Sequence, residues 1–397
     1  MSNDNKNNYT PSLRFPEFKG EWIQKELGKL AEFRRGTTIT AKETVNGDVP
    51  VIAGGQTPSY FHNVSNREGQ TIAISGSGAY AGFVSFWDIP VYLSDSFSVD
   101  TKPELNRKYA YYYLKSQQQS LFLMQKGAGV PHVHGSDVGN IIIPLPPTLA
   151  EQQKIASCLS EIDNLITAQD QKVDALKEKK KALMQQMFPQ QGETTPKLRF
   201  PGFEGEWKEK KLCDLADRVN RRNRQLEVQR VLTNSANAGV IDQNEYFDRD
   251  IAVRENTENY HVVELEDFVY NPRISASAPV GPISMNKVGR GIMSPLYTVF
   301  KFHTGYIPFY ELYFQTTIWH PYLKSIANFG ARFDRMNITS DGFFNMPLLI
   351  PSLYEQQKIA ECLSALDDTI KSESDKLDAL KDHKKGLMQQ LFPQPSK

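Results

Sequence analysis

Arg218, Arg221, Arg222 and Arg224 place four guanidinium groups within seven residues, and Arg34 with Arg35, followed by Thr37, Thr38 and Thr40, holds the comparable place earlier in the chain. A guanidinium fork matches phosphate oxygens and the guanine edge, and hydroxyls suit phosphate or either base. Arg273, Lys287 and Arg290 lie in glycine- and serine-rich stretches, and Arg332, Arg335 and Asn337 lie in GARFDRMNIT. Ser75, Ser77, Tyr80, His132 and His134 are the polar candidates of the first half. The chemistry in view is nucleic-acid contact, against which stands a plain solvated, salt-bridged face. Lys179, Lys180, Lys181, Lys381, Lys384 and Lys385 read as solvated or seam-flanking lysines.

Catalytic signatures are missing from the sequence. Gly76, Gly78 and Gly82 have GxGxxxG spacing and precede the strand-like FVSFW, whereas a dinucleotide fingerprint is GxGxxG leading into a helix. There is no GxxxxGK[ST] and no HExxH. Asn271-Pro272 continues with Arg273, unlike the Asn-Pro-Pro-aromatic motif of amino-methyltransferases, and no Pro-Asp dipeptide opens a nuclease metal site. His132 and His134 lack a third ligand nearby, and Cys158, Cys213 and Cys362 form no CxxC pair, so no metal, zinc or disulfide framework is expected.

These side chains need a scaffold, and 397 residues with 40% hydrophobic and 23% charged content can build two domains. No run reaches the roughly 18–20 apolar residues of a membrane span, and the polar MSNDNKNNYT resembles no secretory signal, so a cytoplasmic chain is expected. Forty-six basic residues balance 46 acidic ones, with 14 against 13 in residues 1–150 and 19 of each in 191–350. A solitary nucleic-acid binder usually carries a basic excess. Any basic face must therefore be assembled by folding or shared with a partner.

The scaffold is duplicated. PSLRFPEFKGEW (11–22) returns as PKLRFPGFEGEW (196–207), nine of twelve identical, and residues 151–190 return without a gap at 355–394 with 25 of 40 identical. The repeated helices carry an apolar seam spaced alternately four and three, as in a left-handed coiled coil. The first seam is Ile155, Leu159, Ile162, Ile166, Gln169, Val173, Leu176, Lys180, Leu183 and Met187. The second is Ile359, Leu363, Leu366, Ile370, Glu373, Leu377, Leu380, Lys384, Leu387 and Leu391. Matched polar interruptions predict that the two helices pair with each other. Pro147 and Pro351 precede them and a shared FPQ stops them. Connectivity makes the pair antiparallel, a rod of roughly 55 Å with a head at each end and a pseudo-twofold axis.

Residues 71–99 and 269–300 read as β-structure with glycine turns, Gly281, Ser294, Tyr297 and Val299 falling near the places of Gly82, Ser94, Phe97 and Val99. Helical patterns follow at 106–125 and 307–326. The fold class expected is α/β: two mixed α/β domains (1–150 and 191–350) separated by an antiparallel coiled coil of two long helices (151–190 and 351–397).

Two divergent α/β regions, each preceded by LRFPxFxGEW and followed by a helix with EQQKIA, DALK and LMQQ(M/L)FPQ, resemble the specificity subunit of a type I restriction-modification enzyme over essentially the whole chain. The resemblance implies two target-recognition domains, each reading one half of a split double-stranded DNA target, with the helices setting the unread spacer. It implies a non-catalytic chain without cofactors of its own. Its partners would be two adenine-N6 methyltransferase subunits using S-adenosylmethionine and restriction-translocase subunits using ATP and Mg2+. Exposed residues flanking the seam, Gln152, Gln153, Lys154, Gln356, Gln357 and Lys358, are the expected methyltransferase contacts. The rival readings are a coiled-coil adaptor that reads no DNA and a stand-alone DNA-modifying enzyme.

Overall fold

A computed structural model describes residues 10–127, 129–243, 257–329 and 334–393. The chain divides into two compact units, residues 1–171 with 373–397, and residues 172–372. Boundaries at the helix ends were expected, but each long helix is divided between the units, because each helix end is buried in a head.

In unit 1, β1 (Ile23–Glu26), α1 (Leu27–Leu30), β2 (Ala31–Arg35), β3 (Val49–Ile52), β4 (Tyr60–His62), β5 (Thr71–Ser75), β6 (Val84–Trp87), β7 (Tyr92–Leu93) and β8 (Ser96–Thr101) precede α2 (Arg107–Ser116), α3 (Gln118–Leu123), α4 (Gly135–Gly139), β9 (Ile142–Leu145) and α5 (Leu149–Met187). Its sheet runs β2-β8-β5-β6, all antiparallel, with β4-β3-β7 and β1-β9 as smaller sheets. Alternation along a strand sends Ile72 and Ile74 into the main core and Ala73 into a smaller cluster with Ile52, Val91 and Leu93.

Unit 2 repeats the plan. β10 (Lys208–Lys211), a 3-10 turn at Leu212–Asp214, β11 (Ala216–Arg218), β12 (Leu232–Ser235), β13 (Gly239–Asp242), β14 (His261–Val263), β15 (Phe268–Tyr270), β16 (Ile283–Met285), β17 (Gly291–Met293) and β18 (Thr298–Phe302) precede α6 (Ile307–Gln315), α7 (His320–Ile326), β19 (Asn328–Phe329), β20 (Met336–Asn337), α8 (Ser340–Phe344), β21 (Pro347–Ile350) and α9 (Leu353–Leu391). The sheet β11-β18-β15-β16 has the order of its counterpart, and β10-β21 matches β1-β9. Gly82 and Gly281 do correspond, both at positive φ in the turn before the fourth strand. Val299 does not correspond to Val99. Val99 pairs with Ile72 and Phe33, whereas Phe300 pairs with Phe268 and Arg218. The expected match was one residue out of register, which sends a side chain to the opposite face: Val299 lies in the smaller cluster and Phe300 in the main core.

Both long helices begin with a Ser/Thr-x-x-Glu cap: Glu151 N donates to Thr148 Oγ1 and Glu355 N to Ser352 Oγ, each at 3.3 Å. They end two residues before Pro189 and Pro393. Every expected seam position is buried or half-buried. In unit 1 the helices run antiparallel, Asp163 facing Lys384 and Gln169 Nε2 donating to Glu373 Oε2 at 2.7 Å. In unit 2 Lys180 meets Asp367 at 2.7 Å. The polar interruptions are therefore answered from the facing helix: the two glutamine/glutamate positions meet each other, and each seam lysine meets a carboxylate.

The two repeated motifs clasp one another. Arg14 of the first LRFP forms two bonds to Glu151 of the first EQQ, at 2.7 and 2.8 Å, and Arg199 holds Glu355 with the same two distances. Trp22 Nε1 also donates to Glu151, at 3.2 Å. Beyond Glu151, the helix start sinks into the head through Ile155, Ala156 and Leu159. Met388, Leu391 and Phe392 join that same core, and Leu13 N donates to Gln390 O at 3.1 Å, so the last turn of α9 packs beside the first LRFP motif.

Candidate nucleic-acid interface

In each unit a short antiparallel ribbon forms beyond the end of the third sheet strand. In unit 1 Ser77 stands opposite His132, with Gly78 N donating to Pro131 O and Val133 N to Gly76 O, both at 3.0 Å. In unit 2 Arg273 stands opposite Arg335, with Ile274 N donating to Asp334 O and Met336 N to Pro272 O, again at 3.0 Å. Register makes the two ribbons equivalent: Ser77 corresponds to Arg273, Pro131 to Asp334 and His132 to Arg335. Both are non-hydrogen-bonded pairs, whose side chains lie close together on one face. The residues that meet here are 55 and 62 positions apart in sequence, so only folding unites them.

The unit 1 ribbon borders a cleft lined by Phe33, Arg35, Ser77, Asp95, His132 and His134. Arg35 is exposed and makes no ion pair among the described residues, and the His132 and His134 rings lie parallel, 6.3 Å apart. Thr37 and Tyr80 are exposed. Arg34 is bound to Asp100. Ser75, expected at the interface, is 3% exposed and turns its hydroxyl inward to the carbonyls of Ala53 and Gly55. Ser75 is the last residue of β5, whereas Ser77 lies beyond it on the ribbon.

In unit 2, Asp334 Oδ2 lies 3.5 Å from Arg273 Nη2 and 3.9 Å from Arg335 Nε. Asn337, in the adjoining strand, is exposed. Arg332 lies outside the described residues. The arginine cluster does not act as one patch. Arg221 is tied to Asp267, a fully buried carboxylate, and Arg222 donates to Asn259 O at 2.6 Å, while Arg224 is exposed without an ion pair among the described residues. Lys287 pairs with Glu311 at 2.5 Å and Arg290 with Glu264 at 3.2 Å. These candidates hold the module together, because partners distant in sequence take up their charges.

The helix candidates divide similarly. Gln152 and Gln356, expected exposed, are 2% and 3% exposed. Gln152 accepts from Asn106 N at 2.8 Å and Gln356 from Tyr306 N at 2.9 Å, fastening each helix to its head. A seam-flanking place does not mean exposure where the helix start lies inside a domain. Gln153 and Lys154 are exposed, whereas Gln357 and Lys358 are half-buried.

His261 lies in the arginine-bearing part of unit 2. Burial first, then the charges of Arg222 and Arg218, push its pKa from about 6.5 to about 4. The unfolded chain therefore takes up this proton before the folded one. The neutral ring's contribution is complete above about pH 6.5 and is lost as pH falls toward 4. Urea midpoints for unit 2 should fall over this window, and His261→Asn should flatten the dependence; identical pH slopes would remove this assignment.

The geometry defines a duplicated architecture, two modules of one topology presenting chemically different polar ribbons. Residues 19–178 and 204–382 match the family described as type I restriction modification DNA specificity domain. The chain belongs to this family. It is similar to the type I restriction enzyme MjaVIII specificity subunit of Methanocaldococcus jannaschii, 29% identical over 44% of this chain and 43% of that relative, and so spans under half of that protein's length. A putative type I restriction enzyme MjaX specificity subunit from the same organism is 25% identical over 73% of this chain and 69% of that relative. The crystal structure of a type I restriction-modification S subunit from M. genitalium shares the fold, with a TM-score of 0.63 and 17% identity over 98% of this chain and 100% of that one. Among the described residues no helix is long and apolar enough to cross a membrane.

Proposed function

We propose that this chain directs a type I restriction-modification assembly to a bipartite DNA target, each module reading one half-site and the long helices setting the gap between them. The observation that carries the reading is the pair of equivalent ribbons, Ser77, Pro131 and His132 against Arg273, Asp334 and Arg335. One backbone plan with exchanged side chains is what reading two different short sequences requires. The chain supplies binding, and the chemistry falls to partners in the cytosol. Two methyltransferase subunits would bring S-adenosylmethionine, and translocase subunits would bring ATP and Mg2+. A duplicated chain offers two similar surfaces to two copies of one partner. Their footing would include Gln153 and Lys154 and the half-buried Gln357 and Lys358, now without the buried Gln152 and Gln356.

The test is adenine methylation mapped across genomes of cells carrying the methyltransferase subunits, with and without this chain. A split motif with a fixed unread gap should appear only with the chain. Exchanging residues 32–140 for those of another family member should alter one half of that motif. Assembly with the methyltransferase but no new motif would leave a DNA-blind adaptor as the better reading.

A further inference from the structure

Resting on the reading of residues 191–350 as a half-site reader, the geometry points to a G·C base pair as the feature recognised by the Arg273, Asp334 and Arg335 cluster. Arg273 and Arg335 would donate to guanine O6 and N7, and Asp334 would accept from the exocyclic amine of cytosine.

Three observations support this assignment. Like charges directly opposite on a ribbon are unfavourable, yet two guanidinium groups stand opposite each other here, Arg273 with 64% and Arg335 with 39% of its side chain exposed. The single carboxylate between them reaches neither arginine closely, so both retain N–H groups for a ligand. Asp334 keeps 44% of its side chain exposed and turns Oδ2 toward both guanidinium groups, which places an accessible acceptor between the two donors. A phosphate site would be weakened by a carboxylate at this position, because the two anions repel. A base pair that shows acceptors on guanine and a donor on cytosine is complementary to it, and a two-stranded ribbon fits the major groove where that pattern is displayed. Unit 1 has Ser77, Pro131 and His132 at the equivalent places, with neither carboxylate nor guanidinium on that ribbon. The two half-sites should therefore differ, giving a target without twofold sequence symmetry.

The experiment uses the chain assembled with its methyltransferase subunits and a library of duplexes in which every base of both half-sites is varied. Wild type should favour G·C at one or more positions of the half-site assigned to residues 191–350. Asp334→Ala, Arg273→Lys and Arg335→Lys should each lower that preference about tenfold or more, and leave the other half-site's preference unchanged as the internal control. Two results would overturn the inference while sparing the half-site reading: no G·C pair preferred in that half, or a loss uniform across sequences with a salt slope reduced by about one, the mark of phosphate contact. Wild type without any sequence preference would instead remove the half-site reading itself.

Discussion

Glu151→Ala should destabilise unit 1 by about 3–5 kcal/mol, since removing one partner of a buried ion pair leaves the other uncompensated. Glu151 is 1% exposed and accepts both fork bonds of Arg14 together with the indole N–H of Trp22, so its loss leaves three donors unanswered. Replacing both partners by apolar residues, as in Arg14→Met with Glu151→Met, should recover much of the loss, because no charge is then stranded. Urea unfolding followed by tryptophan fluorescence would measure both changes. Trp22 and Trp87 lie in unit 1, Trp207 and Trp319 in unit 2. A single variant within about 1 kcal/mol of wild type would show that the clasp is not structural. Arg199 and Glu355 should behave alike in unit 2, except that Trp207 Nε1 has no partner among the described residues to lose.

Phe392→Ala should also cost unit 1 about 3–5 kcal/mol, the range for emptying a buried aromatic site. Phe392 is 1% exposed and packs its ring 5.5 Å from Tyr109 and 5.6 Å from Tyr113, more than 270 residues earlier in the chain. Limited proteolysis should release peptides from residues 10–150 while residues 172–372 resist. Equal protection of both units would mean that Met388 and Leu391 close the core without it. Phe188→Ala is the mirror experiment, acting on Trp207 and Phe309 in unit 2.

What could be read before folding was whatever repeats or keeps a period. The seams were legible position by position because a four-three spacing admits one buried stripe, and their polar breaks were matched between copies. The clasp was not legible, since Arg14 and Glu151 are ordinary exposed types whose partnership spans 137 residues. Gln152 was misjudged because a helical wheel carries no information about which turns enter a neighbouring domain. On the two ribbons, Ser77, His132, Arg273 and Arg335 are singled out by residue type, but Asp334 is not, although it sits directly beside Arg335 in sequence. The same reasoning overvalued Arg221, whose partner Asp267 lies 46 residues away. Charge clusters show where guanidinium groups are plentiful, and only the fold shows which are already engaged.

The division of the chain into units also governs the order of synthesis. Unit 2 is a contiguous stretch, residues 172–372, whereas unit 1 lacks part of its core until residues 388–392 have left the ribosome. Domains usually mature in the order of translation. Here the second module can finish first, and the first must wait, incomplete, through the translation of more than two hundred further residues. A ribosome that stalls or a message cut short after residue 372 and before residue 388 would leave a finished second module and an open first one, a species exposed to proteases and chaperones before it could misdirect an assembly.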